Sequence, residues 1–238
     1  EPVDGMNGPK GLVELLGRPM IEWVVDALRE AQTVNNIAIV IPDASAISER
    51  LKEKVDYVVE SDGGFSDNCI AGINAIRDGL HVLGVSADVP AITAEAVDDF
   101  VVQTLQAGVD FSYPVIHKED MEAQFPGSVR TYIKIKDGNV TGGNFLLGSA
   151  EISDQVKDIF QKLFETRKSP LKMARVVGIK FAAKFASGTL DVHDVEEKLS
   201  EFCEAPCAAI FTKYASLGAD VDKPIDLEIT RRVLEQRK

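Results

Sequence analysis

Short apolar runs alternate with helical segments through the first hundred residues, and this alternation limits the fold more than any other feature. The run Ile37 to Ile41 is continuous, β-branched and closed by Pro42, which is typical of a strand buried on both faces. Two further runs, 57–59 and 81–86, repeat the pattern. Helical spacing of apolar residues predicts helices over 21–31, 45–54, 68–79 and 93–106. We therefore predict an α/β fold, a three-layer α/β/α Rossmann-like sandwich with a mostly parallel sheet. The central valines of the strands are expected to be buried on both faces: Val40, Val58 and Val85.

After Gly108 the regular alternation of strands and helices ends. Residues 111–116 and 131–136 have the character of strands, and Asp137-Gly138 is a hairpin-turn signal after the second of them. Further segments complete the chain: helices over 153–165, 171–185, 191–202 and 226–236, and a late strand over 208–211. We expect one domain over residues 1–238, with an insertion at about 111–205.

Charge and composition argue against nucleic acid and membranes as partners of this chain. The net charge of −12 argues against a nucleic-acid surface, which needs a basic patch. No apolar run approaches the length of a membrane span, so we expect no membrane partner. The three cysteines form no disulfide framework, and a reducing cytoplasmic setting is the natural expectation. We also expect that two copies of the chain can form a homodimer.

A glycine-bracketed loop with one lysine, Gly8-Pro9-Lys10-Gly11, stands near the start of the chain. Loops of this type bind phosphates, because glycines allow the backbone to approach closely and the lysine supplies a positive charge. Such a loop normally follows a strand, and none precedes it here. We therefore expect that an N-terminal strand and part of the loop come before Glu1.

Two acidic features lie far apart in the chain. Asp88 follows an apolar strand, where open α/β sheets bind ligands, although a single Asp at this position can equally cap a turn. Asp220 and Asp222 alternate along an extended segment, so both side chains point to one side. The plain alternative for this second segment is a polar loop before a helix, with Asp226 in the first turn favouring the helix dipole.

Taken together, these motifs resemble the nucleotidyltransferases of the molybdenum-cofactor guanylyltransferase-like (MobA-like) superfamily, which includes sugar-phosphate and methylerythritol cytidylyltransferases. The matching elements are Pro9-Lys10-Gly11-Leu12, Gly17-Arg18-Pro19-Met20-Ile21, Asp88-Val89-Pro90 and Asp220-Val221-Asp222-Lys223-Pro224-Ile225-Asp226-Leu227. The similarity runs in order along nearly the whole chain and is loose from about 124 to 202. The Leu-x-Gly-Gly that opens family members is absent.

The resemblance implies a GT-A-like fold, an NTP and a small-molecule acceptor as partners, and Mg²⁺ as cofactor. It implies that Lys10 holds the triphosphate and that Asp88 and Asp222 are the metal ligands, the three together being the catalytic residues. NMP would pass to a phosphate or hydroxyl oxygen, and pyrophosphate would leave. Without metal, two neighbouring carboxylates repel, so at least one of the two is expected to have a raised pKa. Asp220 is interpreted as a supporting acceptor and not as a ligand.

The same resemblance extends to the binding of the substrates. Gly8 and Lys10 are expected on the phosphates, and the segment from Asp62 to Asn68 occupies the place where the family binds base and ribose, with Gly63, Gly64 and Asn68 as candidate contacts. Gly143 and Asn144 either line the acceptor pocket of the insertion, on the substrate side, or form a tight turn. Four basic residues can either bind an acceptor phosphate or lie on a solvated surface: Arg130, Lys168, Lys172 and Arg175.

Two other functions remain open from the sequence. A non-catalytic regulatory protein of the same fold would explain the absent glycine-rich opening. A glycosyltransferase that uses a sugar nucleotide is related in fold, but it would require Asp-x-Asp at the central strand end, where this chain has Ser86-Ala87-Asp88.

Overall fold

A computed structural model describes residues 9–76, 81–149 and 175–237 of the chain. Several predicted features lie outside these residues: Gly8, the helix over 153–165, Lys168 and Lys172. Within them, strands and helices are mixed along the whole chain, and the predicted α/β class is confirmed.

The described part of the chain contains ten strands. They are β1 (Glu14–Leu15), β2 (Arg18–Pro19), β3 (Ala38–Ile41), β4 (Tyr57–Glu60), β5 (His81–Val85), β6 (Phe111–His117), β7 (Ile133–Ile135), β8 (Gly138–Gly142), β9 (Phe145–Ser149) and β10 (Cys207–Phe211). The α-helices are α1 (Met20–Glu30), α2 (Glu49–Lys52), α3 (Phe65–Ala75), α4 (Ala94–Ala107), α5 (Lys118–Gln124), α6 (Ile179–Ser187), α7 (Val192–Cys203) and α8 (Pro224–Gln236). Short 3₁₀ turns occur at Lys10–Leu12, Ala44–Ala46 and Ala215–Gly218.

The strands form one large sheet and two small ones. The large sheet has six strands in the order β5-β9-β6-β8-β7, with β10 also paired to β6. In this sheet β10 runs parallel to β6, whereas the β5–β9, β9–β6, β6–β8 and β8–β7 pairs are antiparallel. The strands β3 and β4 form a separate parallel pair, and β1 and β2 form a short antiparallel hairpin. The mostly parallel sheet that we predicted is therefore not what the described pairings show.

The strands are also less buried than we predicted. Val40, Val58 and Val85 are each half-buried, not buried. In β3 the exposure alternates, with Ile39 and Ile41 buried and Val40 half-buried, because successive side chains point to opposite faces and one face is covered more completely than the other.

Helices pack against both faces of β6. Ile116 joins the largest apolar cluster with residues of α1, α4 and α5, including Phe100 and Met121. The preceding residue, Val115, joins a different cluster with Phe181 of α6 and with residues of α7. Because successive side chains of a strand point to opposite faces, these helices cover the sheet from two sides.

Local sequence signals placed several elements correctly. Thr93 caps α4, where its hydroxyl accepts a hydrogen bond from the amide of Ala96 at 3.2 Å. The Asp137-Gly138 signal joins β7 and β8, whose register pairs Ile135 with Gly138. The predicted helix over 45–54 is wrong in extent, since a 3₁₀ turn and the four-residue α2 take its place. Ser48 caps α2 and so fixes its start.

Candidate active site

Three side chains from distant parts of the sequence meet at one point. Lys10 lies in the first 3₁₀ turn, Asp88 follows the carboxyl end of β5, and Asp222 precedes α8. The Nζ of Lys10 lies 3.1 Å from Oδ2 of Asp88, and it also donates a hydrogen bond to Oδ1 of Asp222. The ammonium group therefore bridges two carboxylates that are separated by more than a hundred residues.

The backbone around these side chains is closely packed. A Cβ atom on Gly11 would lie 2.7 Å from Cβ of Ala87, so only glycine lets the lysine loop reach the segment after β5. The amide of Val221 donates to the carbonyl of Asp88 at 2.9 Å and joins the segment of Asp222 to the same place. The relative position of Lys10, Asp88 and Asp222 is thus fixed by main-chain contacts.

The start of α8 orients Asp222. The buried carboxylate of Asp226 accepts hydrogen bonds from the amides of Asp222 at 3.2 Å and Lys223 at 2.9 Å. Pro224 occupies the first turn, where a missing N–H costs nothing. The carboxylate of Asp226 is used in this cap, whereas that of Asp222 is exposed and faces Lys10.

Asp220 has a different set of partners. Its Oδ1 accepts hydrogen bonds from Nη1 of Arg130 and, at 3.3 Å, from Nδ2 of Asn144. Arg130 also donates through Nη2 to the carbonyl oxygen of Asp220. The side chains of Arg130 and Asp220 are 10% and 19% exposed, so this ion pair is largely buried. Arg130, which we had considered as a phosphate-binding residue, contacts a carboxylate of the site instead.

One carboxylate oxygen from each of Asp88, Asp220 and Asp222 lies within 4.8 Å of the other two. Asp88 is buried, Asp220 is half-buried and Asp222 is exposed. Carboxylate oxygens are hard ligands of the kind that Mg²⁺ prefers, and Mg²⁺ commonly uses one or two of them and completes its shell with water and phosphate oxygens. The donor set therefore fits a divalent cation of this type.

The pKa shifts follow from these contacts. Hydrogen bonding from Lys10 lowers the pKa of Asp222, which is the opposite of the direction that we expected for repelling carboxylates. Burial raises the pKa of Asp220, and the charges of Asp222 and Asp88 act in the same direction against the opposing charge of Arg130. Burial works to lower the pKa of Lys10, but the two carboxylates outweigh it and raise that pKa above its usual value.

A further side chain of the site was missed by the sequence analysis. The hydroxyl of Ser86 donates a hydrogen bond to Oδ1 of Asp88. The available signal was its spacing of two residues from Asp88 after the same strand, since residues two apart in extended backbone point to the same side. With Lys10 on Oδ2, both oxygens of Asp88 have a partner.

The remaining predicted residues lie in the β8–β9 loop and around the start of α3. Gly143 and Asn144 connect β8 to β9, and the amide of Asn144 donates to the carbonyl of Leu217 at 2.7 Å. Gly63 and Gly64 precede α3, with Gly64 at its N-cap and Asn68 in its first turns. Oδ1 of Asn68 accepts from Ser61 at 2.7 Å. Among the described residues, Asn144 contacts the carboxylate cluster, and no hydrogen bond links Gly63, Gly64 or Asn68 to it.

Other residues lie away from this cluster. Arg175 is exposed, as a solvated surface residue would be. Cys203 and Cys207 are buried free cysteines. No helix in the described ranges is both long enough and apolar enough to cross a bilayer.

The chain is similar in sequence to a known protein family and to a curated protein. Residues 5–167 match the family model of the MobA-like NTP transferase domain. A curated relative, the bifunctional protein GlmU of Thermoanaerobacter pseudethanolicus, is 29% identical over 133 residues, which are 56% of this chain. This chain spans only 28% of the length of that relative.

Solved structures agree with the family match. A hypothetical transferase from Thermus thermophilus is similar over 92% of this chain and 90% of its own, with 31% identity and a TM-score of 0.80. CMP:2-keto-3-deoxy-manno-octonic acid synthetase, solved with CTP, has 11% identity and a TM-score of 0.61, over 96% of this chain and 92% of its own. Molybdopterin-guanine dinucleotide biosynthesis protein A from Archaeoglobus fulgidus has 14% identity and a TM-score of 0.53, over 98% of this chain and 92% of its own.

The last two structures, at these low identities, establish likeness of fold alone. The family model, in contrast, covers more than half of the chain and includes both the lysine loop and Asp88. The resemblance that the motifs predicted is therefore confirmed: this chain belongs to the MobA-like NTP transferase family of nucleotidyltransferases.

Proposed function

We propose that this protein is a Mg²⁺-dependent nucleotidyltransferase that transfers NMP from an NTP to a phosphate or hydroxyl oxygen of a small acceptor. The observation that carries the proposal is the convergence of one ammonium group and two carboxylates, those of Lys10, Asp88 and Asp222, at the end of β5. Family membership supplies the reaction class, and this convergence supplies the charges that such a reaction needs.

Asp88 and Asp222 are the proposed metal ligands. They are the two carboxylates that Lys10 bridges, and no other cation of the described residues contacts them. Ser86 would keep one oxygen of Asp88 oriented while the other faces the metal. When bound, Mg²⁺ would neutralise negative charge on the α-phosphate and on the departing pyrophosphate.

Lys10 is proposed to hold the triphosphate. Its ammonium group already faces the point where the carboxylates meet, and the neighbouring Gly11 keeps the loop close to the sheet. An anionic triphosphate can compete for the lysine, and the lysine would then offset charge on the phosphates instead of on Asp222. An acceptor oxygen attacks the α-phosphorus, the bond from that phosphorus to the β-phosphate oxygen breaks, and pyrophosphate departs.

The two glycine loops are proposed as binding loops on either side of this centre. Gly63, Gly64 and Asn68, at the N-terminus of α3, would contact the nucleoside. Gly143 and Asn144 would line the acceptor side, and the contact of Asn144 with Asp220 ties this loop to the carboxylates. In this proposal the insertion at about 111–205 would lie on the acceptor side.

A pyrophosphate-release assay tests the proposal directly. Each of the four NTPs is supplied with a pool of phosphorylated acceptors, with Mg²⁺ or with EDTA. We expect acceptor-dependent release with a preferred NTP, loss of release in EDTA, and a loss on the order of a hundredfold or more in Asp88→Asn and Asp222→Asn.

Asp99→Asn is the matched control. This carboxylate lies on α4 and accepts a hydrogen bond from Gln103 at 2.6 Å, outside the cluster, so its variant should keep the wild-type rate. Asp88→Asn activity equal to that of the control would refute the metal assignment. Failure of all four NTPs to release pyrophosphate would favour a non-catalytic protein of the same fold.

A further inference from the structure

The third carboxylate of the cluster, Asp220, is held differently from the other two. Arg130 contacts both its Oδ1 and its main-chain carbonyl, and Asn144 contacts the same Oδ1. A guanidinium group that binds one residue at two points fixes both its charge and its position. Asp88 and Asp222, in contrast, share the more exposed ammonium group of Lys10.

We propose that Arg130 is a positioning residue that pairs with Asp220 and keeps that carboxylate out of the metal shell. This inference rests on the proposed function, because it concerns which carboxylates face the metal. Asp220 and Asp222 alternate on an extended segment, and an oxygen of Asp220 lies within 4.8 Å of those of Asp88 and Asp222, so Asp220 could reach the metal if Arg130 did not hold it.

The charges of the cluster give the proposal a distinctive consequence. Three carboxylates face two cations, so the cluster carries one net negative charge. Removal of Arg130 frees Asp220 and doubles that negative charge. A divalent cation should then bind more tightly, whereas a purely structural defect would leave binding unchanged or weaken it.

The test measures Mn²⁺ binding to the full chain from the EPR signal of free Mn²⁺, with no nucleotide present. We expect Arg130→Met to bind Mn²⁺ roughly three- to tenfold more tightly than wild type, as one added charge near the metal would produce. Arg130→Met/Asp220→Asn should return to within about threefold of wild type, because the freed charge is gone. Arg130→Lys, which keeps the charge, should stay close to wild type.

The ligand assignment is tested in the same titration. Asp220→Asn removes one negative charge and should weaken Mn²⁺ binding by at most about tenfold, whereas Asp88→Asn should weaken it by much more than tenfold, since only the second also removes a ligand. Equal weakening by both variants would make Asp220 a metal ligand and overturn the proposal. So would Arg130→Met binding that is unchanged or weaker than wild type.

Thermal melting in EDTA provides a readout without metal. Arg130→Met leaves Asp220 largely buried and unpaired, and its Tm should fall by more than about 5 °C. The added Asp220→Asn change should recover part of that loss, and strictly additive losses would refute the pairing. If wild type itself fails to bind Mn²⁺, the metal site of the proposed function fails. If wild type binds and the Arg130 variants do not differ, only the present inference fails.

Discussion

Replacement of Lys10 by methionine should separate metal binding from turnover. The ammonium group of Lys10 bridges Asp88 and Asp222, whose carboxylate oxygens approach within 4.8 Å. Two unit charges at that distance repel by about 1 kcal/mol in water and about 3.5 kcal/mol at an effective dielectric constant of 20. Asp222 is 56% exposed, so we take the lower figure.

Without metal, Lys10→Met should therefore lower the Tm by about 2–4 °C, the shift that 1 kcal/mol produces in a chain of this length. Mg²⁺ can replace the missing cation in the variant, but in wild type it must first displace Lys10. The increase in Tm on addition of Mg²⁺ should consequently be larger in Lys10→Met than in wild type. Pyrophosphate release should nevertheless fall, because the proposed contact of the lysine with the triphosphate is lost.

The assay is thermal melting in EDTA and in a Mg²⁺ series, followed by the pyrophosphate assay on the same preparations. Lys52→Met is the control, since Lys52 pairs with the exposed Glu49 at 2.7 Å and exposed pairs contribute little. It should shift the Tm by about 1 °C or less and leave the effect of Mg²⁺ unchanged. A Mg²⁺ shift in Lys10→Met that is equal to or smaller than that of wild type would refute the reasoning.

Three further outcomes are expected from contacts outside the Lys10 bridge. Asp98→Ala removes hydrogen bonds to two main-chain amides and one hydroxyl, at 2.7–3.0 Å, and should cost about 1–3 kcal/mol in urea unfolding, whereas Asp98→Asn should cost less. Asp26 is partly buried, but hydrogen bonds from a lysine and an arginine lower its pKa, so its contribution to stability is present above the ordinary Asp pKa and is lost as pH falls through the lowered value. The difference in unfolding free energy between wild type and Asp26→Asn should shrink from pH 6 towards pH 3, and a constant difference would contradict this. Gly143→Ala would place a Cβ 2.6 Å from a proline ring and should lower the Tm, whereas Gly142→Ala meets nothing within 4 Å and should not.

The elements that the sequence predicted well are those fixed by short-range interactions. Thr93 marks the start of α4, because its hydroxyl accepts a hydrogen bond from the amide three residues later. The Asp137-Gly138 turn joins two strands that are adjacent in sequence. The direction of strand pairing is a long-range property. Nothing in the residues of β5 indicates that it pairs antiparallel with β9, more than sixty residues later. Because apolar runs alternate with helices, we predicted that neighbouring strands run parallel. That prediction was wrong for most strand pairs of the large sheet.

The same distinction holds for the site. Asp88 and Asp222 could be selected because each lies at the end of an element that a motif makes visible. The partner of Asp220 could not, because Arg130 stands 90 residues earlier in a segment with no regular pattern. The bridging position of Lys10 was also missed, and with it the lowered pKa of Asp222. Which cation neutralises which carboxylate depends on tertiary contacts that periodicity does not encode.

Charge balance would allow an acidic chain to bind an anionic nucleotide at the proposed site. The protein carries a net charge of −12, which alone would repel a triphosphate. At the cluster, however, Lys10 and Arg130 leave one net negative charge among three carboxylates. One divalent cation would reverse the local sign to positive, which favours phosphates over the remainder of the surface. A fourth carboxylate without a cation partner, or the loss of either basic side chain, would leave the metal-bound site neutral and so prevent that reversal. The same reasoning makes Arg130, which needs no contact with substrate, as important to the local field as the lysine of the loop.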